Sequence, residues 1–259
     1  LTKQPKVLFF DVETSPITGY TWTTWDANVL KILEPSKVIS IAWKWLGEDE
    51  VCCKTIADYK GYKKGVINDE KLIKEAWDLL DQADVTVGHH SDAFDLKKLN
   101  ARFVYYSLGS PSPYKSIDTK KAASKYFKLD SNSLNNIGQY LNLGKKVENS
   151  GFSLWDKCIN GDLEAWSLMK EYNIGDVILL EKVYLALRPF IQNHPNLSLL
   201  AGNEYKEACP SCQSDDVSKR GFSITRTGKR QRYQCNSCGA WSQGKFEKVS
   251  SNILFSESD

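Results

Sequence analysis

The sequence predicts an α/β domain on a mixed β-sheet flanked by helices, followed by a small cysteine-bearing module. Three observations carry this. β-Branched or aromatic runs alternate with segments of helical periodicity along most of the chain. Two strand-like runs are separated only by "GEDE", so the sheet includes a hairpin before helical crossovers follow. Four of the seven cysteines fall into two CxxC pairs near the C-terminal end.

Taken in order, Lys6–Val12 reads as the first strand, with Ser36–Leu46 and Val51–Ala57 as the hairpin beside it. Asp69–Gln82 follows as a helix with Asp69 as N-cap and Leu72, Ile73, Ala76, Leu79 and Leu80 on its apolar stripe. "DVTVG" at 84–88 is a short strand, and Phe94–Leu108 a helix carrying Leu96, Leu99, Phe103 and Tyr106. A short strand ends at Asp118, small helices fill 119–145, and Gly144 is read as a helix end. From Asp162 to about Gln192 a helical pattern passes through Leu163, Trp166, Met169, Tyr172, Asp176, Leu180, Val183 and Leu187. The expected organisation is a domain over 1–195, a linker over 196–208 and a cysteine module over 209–259.

A chain of 259 residues with 41% hydrophobic content can fill a sizeable core and still carry an appendage. The net charge of +2 is unevenly spread: residues 209–259 hold 8 Lys/Arg against 5 Asp/Glu, leaving 26 against 27 for residues 1–208. The basic excess lies in the tail. No apolar run approaches the roughly 20 residues of a membrane span and no signal peptide opens the chain, so a soluble, intracellular (cytoplasmic) protein without membrane partners is expected. In that setting CxxC pairs point to metal rather than disulfides, and Cys52, Cys53 and Cys158 are expected to be reduced thiols.

The strand "VLFFDVET" ends in two acids, Asp11 and Glu13, which share one face because side chains alternate along a strand. Two ionised acids side by side repel unless a cation offsets them. Two more acids stand in suggestive places: Asp95 in the first turn of the helix opening at Phe94, and Asp176 on the apolar stripe of the long helix, one turn after Tyr172. Each has a plainer reading alone. Asp11 or Glu13 can cap a turn, Asp95 can partner a helix dipole, and Tyr172 can be core. An acid facing a core, however, is costly unless it is paired.

"FDVET", "HHSDAFD" and "YNIGD" resemble the three motifs of the DEDD exonuclease superfamily, in its tyrosine-containing DEDDy branch. The likeness covers residues 5–195 and is to the YprB-like bacterial and phage relatives of the proofreading exonuclease domain of family-B DNA polymerases, which are DnaQ-like with a ribonuclease H-like fold. It implies a metal-dependent 3′–5′ exonuclease, DNA favoured over RNA, that acts on nucleic acid with a free 3′ end and releases nucleoside 5′-monophosphates. Asp11, Glu13, Asp95 and Asp176 would hold two Mg²⁺ or Mn²⁺ ions, hard cations that prefer oxygen ligands. In this scheme Asp11 bridges both ions, Glu13 and Asp176 complete the first, and Asp95 supports the second largely through water. Tyr172 hydrogen-bonds and aligns the nucleophile. Phe94 and the stretch Tyr20–Trp25 offer surfaces for stacking bases, with plain packing as the alternative for the tryptophans.

His90 departs from the pattern, standing where this group usually carries Asn, and is expected to touch the substrate strand. His89 and His90 can also be read as metal ligands. Two rival functions stay open: an RNA-trimming or structure-selective nuclease with the same site, and a catalytically weak nucleic-acid-binding or replication-accessory protein. Replication or repair proteins are the expected protein partners.

The two CxxC pairs, Cys209/Cys212 and Cys235/Cys238, are separated by 22 residues and predict one structural zinc in a four-thiolate site resembling a zinc ribbon. Between them the stretch "SKRGFSITRTGKRQRYQ" carries Lys219, Arg220, Arg226, Lys229, Arg230 and Arg232 among Phe222 and Tyr233 without an acid, with Gly228 expected at a hairpin tip and Arg230 and Arg232 on one strand face. This reads as a phosphate-contacting surface, the alternatives being a solvated hairpin or a protein-docking face.

Overall fold

Side chains alternate across the first strand, β1 (Val7–Thr14), and that alternation organises the layers around it. Leu8, Phe10 and Val12 join a core built with helices α1 (Glu70–Gln82) and α2 (Asp95–Tyr105). The computed structural model describes residues 4–25, 27–148, 151–202 and 207–249. They form two compact units, one spanning Lys6–Tyr184 and a second beginning at Leu185.

In the first unit β1 pairs antiparallel with β4 (Val38–Trp45), which pairs antiparallel with β5 (Cys52–Thr55). On its other side β1 runs parallel to β6 (Val85–Gly88), and β6 to β7 (Lys115–Asp118). The order β5-β4-β1-β6-β7 is the expected mixed sheet, hairpin first and crossovers later. A separate small ladder, β2 (Thr18–Tyr20) with β3 (Lys31–Glu34), was not evident in the sequence pattern.

The five residues predicted for the α1 stripe are the ones buried. Asp69 does stand at the N-cap position, but its side chain makes no cap bond there. It accepts instead from Val38 N–H at 3.1 Å and from Arg102 Nε and Nη2 at 2.8 and 2.6 Å, because a fully buried carboxylate needs a charged partner more than a helix end needs a cap.

The later helices are α3 (Thr119–Tyr126), α4 (Leu134–Tyr140), α5 (Phe152–Ile159) and α6 (Leu163–Leu187). Gly144 does not end a helix: α4 closes at Leu141, and Gly144 sits in the following connection at φ +129°. Leu163, placed on the stripe from sequence, is 76% exposed, whereas Trp166, Met169, Val177, Leu180, Val183, Tyr184 and Leu187 are buried. Pro189 lies in a 3₁₀ turn (Arg188–Phe190) that stops the helical run, since proline has no N–H to continue it. Among the described residues no helix is long and apolar enough to cross a membrane.

The second unit holds the short helix α7 (Leu197–Leu200) and a three-stranded antiparallel sheet, β8 (Val217–Thr225), β9 (Gly228–Cys235) and β10 (Trp241–Lys248), in the order β10-β9-β8. Thr225 pairs with Gly228, so the hairpin tip is Arg226–Thr227 and Gly228 opens the return strand.

Candidate active site and cysteine cluster

Strand periodicity sends Phe9, Asp11 and Glu13 to the face of β1 opposite Leu8, Phe10 and Val12. Helix α6 covers that face. Phe9 meets Tyr184 edge-on with ring centroids 5.3 Å apart, and Asn173 Nδ2 donates to Asp11 Oδ2 at 2.8 Å. Positions 173, 176, 177, 180 and 184 are buried at helical spacing, so the polar pair Asn173 and Asp176 continues the stripe that Val177, Leu180 and Tyr184 begin. The result is that carboxylate oxygens of Asp11, Glu13 and Asp176 lie within 4.8 Å of one another.

Asp95 stands outside that trio. β6 registers with β1 only at Val7–Phe9, so beyond Phe9 the edge of β1 is open to the loop that follows β6. That loop turns tightly: a Cβ on Gly88 would come within 2.4 Å of Ser91, which only glycine avoids. Asp118 holds it from the neighbouring strand, accepting from His90 N–H at 2.9 Å and Asp92 N–H at 3.3 Å. The chain then enters α2 with Asp95 Oδ1 accepting from Val12 N–H at 3.2 Å.

Electrostatics mark the cluster as unfavourable by itself. Burial, then Asp95, Glu13 and Asp176 in turn, push the Asp11 carboxyl well above the usual range. Burial and Asp176 push Glu13 up to about 8, and burial pushes Asp95 up to about 6. Asp176 is also raised, chiefly by burial. Its Oδ1 is buried without a hydrogen-bond partner. An orphan carboxylate oxygen beside two other acids is the donor set a hard divalent cation fits, so the residues present suit the metal implied for this site.

Two residues of the cluster were missed in the sequence. Lys146, from the connection after α4, places Nζ 2.6 Å from Asp176 Oδ2 and 3.3 Å from Tyr172 Oη. Burial works against its charge, but Asp176 overcomes this and raises its pKa above the ordinary lysine value. Asn173, besides its bond to Asp11, accepts from Ser40 Oγ at 2.8 Å and so ties β4 to β1 through the helix. No local signal points to Lys146. The apolar-stripe position of Asn173 between Tyr172 and Asp176 was the available clue to the other. Tyr172, half-buried against Trp155, has its hydroxyl pushed up to about 12 by burial and then by Asp176.

The histidines differ. His89 is held neutral by burial at about 4, its Nδ1 2.9 Å from Thr119 Oγ1 and its Nε2 3.0 Å from the Asn132 carbonyl. Neither ring nitrogen is left for a metal in this arrangement. His90 is exposed at φ +66°, a left-handed conformation that His and Asn both tolerate better than most residues. Phe94 is 47% exposed, and Trp22 and Trp25 are 88% and 85% exposed. The tryptophans are therefore not core residues.

In the second unit the Sγ atoms of Cys209, Cys212, Cys235 and Cys238 also lie within 4.8 Å of one another. The Cys209–Cys238 and Cys212–Cys235 separations are 3.6 Å, near the roughly 3.8 Å edge of a tetrahedron with 2.3 Å zinc–sulfur bonds. Burial opposes the Cys235 thiolate, but hydrogen bonds from the Cys238 N–H, the Cys212 thiol and the Ser237 N–H, with the Cys238 thiol, outweigh it and bring the pKa to about 7. Cys209, Cys235 and Ala240 are the buried residues of the small core around this cluster, so four thiolates around one ion would replace an apolar interior. The donor set fits zinc.

The basic residues sort by partner. Lys219 lies 3.9 Å from Glu207 and Lys229 3.5 Å from Glu247. Arg230 and Arg232 project from one side of β9, as expected from their spacing. Arg220 and Arg226 are exposed, Arg226 at the hairpin tip.

A family model described as RNase_H superfamily (RNase_H_2) matches residues 8–188. Among solved structures, the family B DNA polymerase from the hyperthermophilic archaeon Pyrobaculum calidifontis is similar to 76% of this chain, at 16% identity and a TM-score of 0.49. This chain spans only 27% of that polymerase. No match was found among curated proteins.

Proposed function

The chain belongs to the RNase H superfamily and has its α/β fold, and from that premise we propose that it is a metal-dependent 3′–5′ exonuclease acting on nucleic acid, DNA in preference to RNA. The observation that carries the reading is the convergence of Asp11, Glu13 and Asp176, drawn from β1 and α6, to within 4.8 Å. Acids this close repel, and cations are what such a pocket favours. Divalent ions held by these carboxylates, with Asp95 at the edge of the group, would supply Lewis-acid polarisation of a phosphodiester and a water acidified for attack.

The protein's own groups do the remaining work in this proposal. Asn173 fixes which Asp11 oxygen is turned inward, and the Val12 N–H does the same for Asp95. The Tyr172 hydroxyl, kept protonated by its raised pKa, donates a hydrogen bond and aligns the attacking water. Lys146 offsets part of the acid repulsion and offers a cation toward phosphate. Phe94, with His90 and the exposed Trp22 and Trp25, gives terminal bases surfaces to lie on. The basic strands of the cysteine module, folded around zinc, contact phosphates and make binding salt-dependent.

The test is a 5′-labelled oligonucleotide, DNA or RNA, incubated with Mn²⁺. Ladders shortened from the 3′ end, abolished by Asp11→Asn while binding survives, are expected. A ladder on RNA alone would transfer the proposal to RNA trimming. Equal activity in Asp11→Asn, or none in the parent with any divalent ion, would overturn it.

A further inference from the structure

The three-stranded sheet of the second unit has two unlike faces. Directly opposed residues of an antiparallel ladder lie on the same face. The register sets Trp241 opposite Gln234, Gln243 opposite Arg232, Phe246 opposite Arg230 and Lys248 opposite Gly228. Trp241, Arg232, Arg230, Phe246 and Lys248 therefore share one face, and β8 adds only Ser218, Ser223 and Thr225 at the paired positions. None of these paired positions is acidic. Glu247 falls on the opposite face, where it meets Lys229.

Both rings are open to solvent, Trp241 at 53% and Phe246 at 40%. Each is flanked by a guanidinium: Arg232 lies 5.7 Å from the Trp241 ring centroid and Arg230 5.3 Å from that of Phe246. Phe246 lies across Gly228, where a Cβ would come within 2.3 Å of the ring, and Arg230 Nη1 donates to the Gly244 carbonyl at 3.3 Å. The ring and its cation are thus seated by the backbone beneath them.

We propose that this face binds single-stranded nucleic acid, with bases covering Trp241 and Phe246 and phosphates meeting Arg230, Arg232 and Lys248. The inference rests on the nuclease reading above and adds the kind of strand the protein holds. Alternating rings and unopposed cations are what a sugar–phosphate backbone with free bases requires, whatever its sequence. The two rings stand on rows four residues apart along β9, about 13 Å at ordinary strand rise. Duplex bases sit inside their stack about 3.4 Å apart along each strand, so two rings this widely spaced can both be covered only by bases that have left a stack.

Fluorescence anisotropy tests this, using the full chain carrying Asp11→Asn to prevent cleavage, labelled oligo-dT, and a blunt hairpin duplex as comparator. The parent should prefer oligo-dT. Trp241→Ala with Phe246→Ala should weaken oligo-dT binding about tenfold or more, with zinc content unchanged, and Trp241→Phe with Phe246→Tyr should restore it. A smaller loss, failure of the aromatic pair to restore binding, or a parent that prefers duplex would overturn the proposal and leave a protein partner as the occupant of this face. Hydrolysis of the p-nitrophenyl ester of thymidine 5′-monophosphate by the unmutated chain reads the acids separately. No ester hydrolysis with ring-dependent oligo-dT binding would sink the nuclease reading alone; ester hydrolysis without such binding would sink this one alone.

Discussion

Lys146 Nζ stands 2.6 Å from Asp176 Oδ2, an ion pair between the connection after α4 and the middle of α6, 30 residues apart in sequence. It places a fixed positive charge at the edge of an acid cluster. Without it Asp176 would be left buried beside Asp11 and Glu13 with no cation. Lys146→Met should lower the unfolding temperature of the Mg²⁺- and Mn²⁺-free protein by roughly 5 °C at pH 8, and saturating Mn²⁺ should recover most of that loss. Thermal unfolding followed by circular dichroism checks it, and an unchanged temperature in the metal-free variant would count against the pairing.

The raised acids also set a pH dependence. Glu13 moves from the ordinary 4.5 to about 8 and Asp95 from 3.8 to about 6. For an acid raised on folding, the native state favours the protonated form. Its contribution to stability is intact below the unfolded value and is lost as pH rises through the folded one. Protein that keeps its zinc but lacks Mg²⁺ and Mn²⁺ should therefore lose unfolding temperature as pH climbs from about 4.5 to about 8, and Mn²⁺ should flatten the decline. A metal-free profile level across this window would contradict the assignment.

Asn173 acts through Asp11, holding its carboxylate with one hand and the Ser40 hydroxyl with the other. Asn173→Ala should reduce nucleotide release and raise the Mn²⁺ concentration for half-maximal activity, each by about 10- to 100-fold, with little change in oligonucleotide affinity. A metal titration of activity separates this from simple unfolding, because excess Mn²⁺ should rescue part of the rate. A rate loss insensitive to Mn²⁺ would refute the positioning role.

Four thiolates around one ion would give the cysteine module its core, since Cys209, Cys235 and Ala240 are its buried apolar residues among those described. Cys235→Ser should abolish the bound zinc, measured as one ion per chain in the parent, and expose β8–β10 to limited proteolysis. The Lys6–Tyr184 unit, with its own sheet and core, should survive as a protease-resistant fragment. Retention of zinc in the variant would disprove the four-thiolate arrangement.

Much of the architecture was legible locally. The apolar stripe of α1, the β4–β5 hairpin, the place of β6 and the end of β7 at Asp118 were readable from each segment by itself. The departures were also physical. Asp69 stands at the N-cap as its neighbours predict, but a guanidinium 33 residues away, not the helix end, takes its side chain. Gly228 looked like a hairpin tip, yet the pairing of Thr225 with Gly228 puts the tip at Arg226–Thr227.

What the sequence by itself determined is which residues have a local reason to be unusual. Asp11 and Glu13 share a strand face, Asp176 sits on an apolar stripe, and two CxxC pairs can each turn a knuckle. What only the tertiary structure decided is which of them meet. The bond from Asn173 to Asp11 joins residues 162 apart, and Lys146 is drawn into the acids although nothing beside it in sequence is remarkable in charge. Trp241 and Phe246 likewise become neighbours of two arginines through strand register. Local propensity fixes the direction of a side chain, but convergence across distant segments depends on how whole elements pack, and no short stretch of sequence contains that information.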